Sequence, residues 1–273
     1  MIATFRPYGA VYAMRFALLL QYRVAALAGF ATQLWWGTMK ILVFAAFYRS
    51  APVQPLTLAD AVTYVWLGQA FLTVLPWNAD PEIAQMAETG NVGYERLKPV
   101  DTYAYWFARA IAWRTATPLL RALPMFALAA LVLPATGLSA WRWRMPPTVS
   151  AACLFAFSMF LAVCLSAAIT VLTNIFVTAV RTSRGVSLLN GSVTVLSGMV
   201  VPLALMPSWM QPLLFWQPCA GLVDIPYRVY FGNLAGEAAA RGLFAQTLWV
   251  VLLVAAGRLF MTHTMARIDM QGG

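Results

Sequence analysis

The chain has 273 residues, 62% of them hydrophobic and 10% charged, where an ordinary soluble chain carries about a quarter charged. So few charges cannot cover a water-facing surface of this size, which excludes a soluble globular protein and leaves a helical membrane protein. The 18 Lys and Arg against 9 Asp and Glu are scattered between apolar runs, as the flanking charges of membrane spans are and as a nucleic-acid-binding face is not.

Residues 5–22 interleave apolar residues with Arg6, Tyr8, Tyr12, Arg15, Gln21 and Tyr22 and read as an interfacial amphipathic helix. No small-residue cleavage site follows, so a removable signal is not expected. Six segments then reach the ~20 mostly apolar residues that a crossing needs: 24–48, 58–77, 119–138, 148–173, 187–206 and 242–265. With the N-terminus inside, the inner segments hold Arg6, Arg15, Arg23, Arg96, Lys98, Arg109, Arg114, Arg181, Arg184 and Arg267. The outer loops hold only Arg49, Arg142, Arg144, Arg228 and Arg241. That asymmetry predicts a multi-pass protein with both termini cytoplasmic.

Between the second and third segments lies a polar stretch, 78–103, that carries five of the nine acidic residues: Asp80, Glu82, Glu88, Glu95 and Asp101. Asp80 suits a helix N-cap, with Pro81 and Glu82 in the first turn, and Gly90 suits its end. Ile83, Met86 and Ala87 form one apolar stripe on an otherwise charged helix. Such a helix either rests on the membrane surface or docks a cytoplasmic protein. Tyr103, Tyr105, Trp106 and Trp113, mixed with Arg109 and Arg114, have the composition of the headgroup level. Pro118 is expected to break the chain before the third span, and Arg121 to snorkel from its edge.

The fourth and fifth segments carry few polar residues, mostly hydroxyls of the kind that pack helices. Asn190, Thr194 and Ser197 are the candidates for a pathway, with Trp209 and Trp216 beyond them. The outer stretch 207–233 is apolar but broken by Pro207, Pro212, Pro218 and Pro226. It reads as a re-entrant hairpin, whose backbone must be buried in protein, or as a loop packed on the membrane. Cys153 and Cys164 read as small buried hydrophobes. With one histidine, His263, no metal site is expected. No G-x-x-x-x-G-K-[ST], H-E-x-x-H or G-x-S-x-G is present, so the chain itself has no nucleotide-binding or hydrolytic motif. Acids deep in the spans, which ion-coupled pumps use, are scarce, and this argues for an energy source elsewhere.

This layout resembles the ABC-2 type exporter permeases: an all-α membrane domain of six spans, an N-terminal interfacial helix, a cytoplasmic coupling helix and a re-entrant hairpin before the last span. Gly90 to Tyr103 (GNVGYERLKPVDTY) is similar to the G-x-x-x-Y-E-L-L-R-P-V-D-x-Y segment of a poorly characterised bacterial branch, with Arg96 and Lys98 where that branch has Leu and Arg. Gly198, Pro202, Leu203, Pro207, Trp209 and Pro218 resemble its fifth span and hairpin. The resemblance implies a bacterial inner-membrane permease pairing with a second, identical or homologous, permease. Cytoplasmic ABC ATPase subunits would drive it, binding the ATP and Mg. The substrate would be a hydrophobic small molecule or a lipid. It also implies that Asp80, Glu82, Ile83, Met86 and Glu88 face or orient toward the ATPase, braced by Tyr94, Glu95, Arg96 and Asp101. Two alternatives remain at this point: a membrane-embedded enzyme acting on a lipid-linked substrate, with Arg142, Arg144 and Asp224 as its nearest polar groups, and a non-catalytic anchoring subunit.

Overall fold

The computed structural model describes residues 2–51, 54–182 and 186–267, with the side chains of 2–5, 23 and 187–190 outside that description. Among the described residues the chain is all helical and has no strand. Helix α1 (Ile2–Leu20) is followed by α2 (Arg23–Ser50), α3 (Leu58–Ala70) and α4 (Pro81–Glu88). Helix α5 (Thr102–Ala135), α6 (Val149–Val180), α7 (Val186–Leu196), α8 (Gln211–Trp216), α9 (Asp224–Tyr230) and α10 (Gly236–Ala266) complete the chain. Three of these, α5, α6 and α10, are long and apolar enough to cross a membrane. A fourth crossing results if α1 and α2, bent by 72° at their junction, are taken together.

The long helices form the centre. Gln246 of α10 joins three elements: Ser158 Oγ donates to its Oε1 at 2.8 Å, and its Nε2 donates to the Ser158 and Gly221 carbonyls at 3.1 and 2.7 Å. At Gly257 a Cβ would stand 2.6 Å from the Tyr103 ring, so glycine lets α10 lie against the start of α5. The N-terminus of α5, the C-terminal parts of α6 and α10, and α4 meet at one end of the bundle, where Ile83, Trp106, Ile175, Met261 and Met265 share a core. At the opposite end Trp143 Nε1 donates to Tyr230 Oη at 2.6 Å, and Tyr230 Oη donates to the Arg144 carbonyl, also at 2.6 Å.

Several expected boundaries move. Helix α5 starts at Thr102, capped by Asp101, whose Oδ1 accepts the Ala104 N–H at 2.7 Å, and it runs through both Pro118 and Pro124. The expected break at Pro118 is therefore absent. An interior proline loses one hydrogen bond and crowds the carbonyl four residues earlier, but Pro118 is buried, and packing keeps the helix whole. Further along, the turns widen at Leu128–Val132. The fourth segment begins where expected, with Thr148 capping the Ala151 N–H at 3.1 Å, and continues to Val180.

The second and fifth segments do not form continuous spanning helices. Helix α3 has 13 residues, roughly 20 Å, against a hydrocarbon layer of about 30 Å. It ends at Ala70 and passes into a 3-10 turn, Leu72–Val74, after which Pro76 holds Leu75 in extended backbone (ψ 143°), so the helix does not resume. Helix α7 has 11 residues, roughly 16 Å, and stops before Gly198, whose φ of +86° is left-handed. Cys153, expected inside, is exposed on α6. Arg121 lies half-buried across α2, where Gly29 leaves room: a Cβ there would stand 2.6 Å from its Cζ.

Candidate functional site

The polar stretch 78–103 folds as its local chemistry dictates. Asp80 caps α4, its Oδ1 accepting the Glu82 N–H at 3.0 Å. Pro81 needs no hydrogen bond at the first position, and Gly90 turns the chain with φ +80°. The apolar stripe finds its partner within the chain. Ile83 and Ala87 are each 1% exposed, Ile83 against Val171 and Ile175 of α6 and Ala87 against Val177 and Val186. Met86 is half-buried beside them. The expectation of an external partner for this stripe is thus corrected: a period of 3.6 shows that one face is apolar, not what covers it.

Charges then lock α4 in place. Arg109 of α5, its side chain only 4% exposed, forks onto Asp80, with Nε to Oδ2 at 2.9 Å and Nη2 to Oδ2 at 2.7 Å. It also reaches Glu82 Oε2 at 2.9 Å. Glu82 is held from its other side by both terminal nitrogens of Arg15 on α1. The hydrogen bond from Arg15, joined by that from Arg109, outweighs burial and holds the Glu82 carboxyl at about 2, below its ordinary 4.5. The Asp80 N–H donates to Asn174 Oδ1 of α6 at 2.8 Å. Arg15, Arg109 and Asn174 therefore tie this short helix to α1, α5 and α6, while Glu82, Gln85 and Glu88 keep an exposed outer face.

The next segment, 91–97, alternates in role. Glu95 is buried at 4% exposure, accepting from Lys98 Nζ at 2.6 Å and Trp106 Nε1 at 3.3 Å. Burial acts against the Lys98 ammonium, but the bond and charge of Glu95, with Tyr105, raise its pKa. Arg96 donates to the Met265 carbonyl of α10 at 3.2 Å. Asp101 sits 3.7 Å from Arg258. Tyr94 and Leu97 are exposed, at 59% and 65%, on the same end of the molecule. Of the predicted coupling residues, Asp80, Ile83, Glu95 and Asp101 thus hold the segment together, and Glu82, Glu88, Tyr94 and Arg96 are exposed.

The predicted pathway residues do not converge. The Asn190 side chain lies outside the described residues. Ser197 is fully buried, donating to the Thr194 carbonyl at 3.0 Å. Trp209 and Trp216 are exposed, at 72% and 47%. What does gather there is backbone. From Leu196, the last residue of α7, onward, four consecutive carbonyls are met by donors from four separate parts of the chain. Gln217 Nε2 donates to Leu196 O at 2.8 Å, and the Asp224 N–H donates to Ser197 O at 3.1 Å. Tyr64 Oη donates to Gly198 O at 3.0 Å, and Lys40 Nζ donates to Met199 O at 2.9 Å. Irregular backbone at membrane depth survives only when paired in this way.

Arg114, about one and a half turns along α5 from Arg109 and expected at the headgroup level, is 4% exposed. Its Nε donates to Ser166 Oγ and its Nη2 to Thr170 Oγ1, both on α6, and its Nη1 donates to the Ala110 carbonyl at 3.0 Å. Arg109, Arg114 and Arg15 were missed as a set. The small residues Ala108, Ala110, Ala112 and Ala116 around them signal a closely packed helix, which the expected break at Pro118 obscured. Among the described residues no three His, Cys, Asp or Glu come close enough to share a metal ion. No protein-family model matches the chain, and a search of curated proteins finds no match.

Proposed function

We propose that this chain is the membrane permease of an exporter driven by a separate cytoplasmic ATPase, with α4 as the element on which the ATPase acts. The observation that carries the reading is the mounting of α4. A helix of eight residues is joined by side-chain hydrogen bonds to α1, α5 and α6 at once, with an acidic face left outward. A push on that face is delivered to three helices, because a bidentate Arg–carboxylate fork fixes direction as well as distance. The six-span arrangement of ABC-2 permeases fits if α3 with its 3-10 turn, and α7 with the broken segment after it, serve as incomplete crossings. The segment 207–233 then serves as the re-entrant hairpin, and a second permease completes the pathway. ATP and Mg belong to the ATPase, whose closure shifts the permease between two arrangements.

The reading is tested by affinity purification of the tagged chain from its native membrane. An ATPase and a second permease are expected with it. Glu88→Lys, on the exposed face, is expected to lose the ATPase while keeping the fold. A chain that comes down alone, or a Glu88→Lys chain that keeps its ATPase, contradicts the role given to α4.

A further inference from the structure

A cavity of about 620 Å³ opens between α1, α5, α6 and the turn after α3, within the roughly 300–1,000 Å³ of small-molecule sites. Its inner wall is apolar: Phe71, Val74 and Met159. Its mouth is formed by Leu123, Ala156 and Phe160, all exposed. Along α5 it extends from Ile111 to Phe126, roughly 22 Å, so it is a long cleft rather than a round pocket. Its polar groups, Tyr12, Arg114 and Thr115, are gathered at the end nearer α4.

Arg114 makes this end unusual. The ion pairs among the described residues use Arg15, Lys98, Arg109, Arg144, Arg228 and Arg258, and none uses Arg114. Its three hydrogen bonds go to neutral groups and occupy three of the five N–H donors of a guanidinium. A cation buried within a spanning helix is costly unless an anion meets it. Here Arg114 lines an open apolar cleft, with roughly 18 Å from Arg114 to Phe126 along the helix.

We infer that the cleft binds a single-chain amphiphile with an anionic head, a carboxylate or a phosphate. The head sits on the Arg114 guanidinium and the hydrocarbon chain lies along α5 toward Phe126. The charge fixes the head, and the elongated apolar wall fixes the single chain. The site stands independently of the ATPase, because binding is a property of this chain alone.

The test is equilibrium binding of tritiated palmitate to the full chain in phosphatidylcholine nanodiscs, with empty nanodiscs as background. Saturable binding is expected, competed by hexadecyl phosphate. Hexadecanol, of equal chain length, should compete at least tenfold more weakly, since a neutral hydroxyl offers the guanidinium neither a counter-charge nor a second oxygen. Arg114→Gln should weaken binding by a similar factor. Because Arg114 also braces α6, Ala156→Trp provides an independent arm. It fills the mouth without touching the hydrogen bonds of Arg114, and should abolish binding with an unchanged melting profile. Equal competition by hexadecanol, undiminished binding to Ala156→Trp, or binding no greater than to empty nanodiscs overturns the proposal. Loss of palmitate binding in phosphatidylglycerol nanodiscs would assign the cleft to a two-chain membrane lipid instead. Loss whenever two copies share a nanodisc would assign it to the second copy.

Discussion

Helices α4 and α7 are both too short to cross a membrane, yet the molecule secures them by opposite means. Helix α4 is held by side chains at its start: Asp80 caps it, and Arg109 and Arg15 bind its first-turn carboxylates. Helix α7 is held through its backbone at its end, where the carbonyls of Leu196, Ser197, Gly198 and Met199 receive donors from Gln217, Asp224, Tyr64 and Lys40. The difference follows from the surroundings. Near water, charged side chains can be paired at modest cost and still present a polar face. Where water is excluded, each loose carbonyl must be met individually. An ion-paired helix can be addressed from outside; a helix end enclosed by four donors is fixed by its own fold.

The largest effect is expected at Asp80. Asp80→Ala removes both the cap and the main partner of the buried Arg109 guanidinium, and should cost about 3 kcal/mol, read as a lowered midpoint of thermal unfolding in detergent. Asp80→Asn retains a capping oxygen worth about 1 kcal/mol, so it should recover only the smaller part. At the α7 end, Tyr64→Phe leaves the Gly198 carbonyl without its donor and should cost about 1–3 kcal/mol. Its effect on the same melting curve should not depend on pH or salt. The smallest change is Glu82→Gln. Its carboxylate is 55% exposed, so the loss should stay at or below about 1 kcal/mol, but it should alter the acid response. The pKa of Glu82 is depressed in the folded chain. Its contribution is therefore complete above the ordinary 4.5 and disappears as pH falls toward 2. A fluorophore at residue 85 should report loosening of α4 across that interval in the wild type and a flat response in Glu82→Gln.

The two regions differ in how much of them is written in local sequence. The cap, first turn and stop of α4 were legible in Asp80, Pro81, Glu82 and Gly90, because each acts on backbone within a few residues. The stripe of Ile83 and Ala87 was legible as apolar, but its covering by α6 was not, since periodicity carries no information on distant neighbours. Runs of hydropathy overstated α3 and α7, because a sum over side chains ignores backbone. Pro76, Gly198 and Pro202 were the local marks of those endings. Pro118 misled in the other direction, splitting a helix that packing keeps whole. The four carbonyls past α7 had no sequence signature, since every residue has one. Arg114 was visible, but as a basic residue among aromatics it matched an interfacial position equally well.

An ATPase that pushes on α4 must touch its outer face, and cross-linking detects that contact. A chain carrying Gln85→Cys on the exposed face of α4, with Cys153, Cys164 and Cys219 replaced by serine or alanine, would be treated with a short thiol-to-amine reagent in native membranes. One principal product is expected, joining the chain to a nucleotide-binding ATPase and changing in yield when ATP is added. Products confined to a second copy of the chain or to lipid, or a yield indifferent to nucleotide, would contradict it.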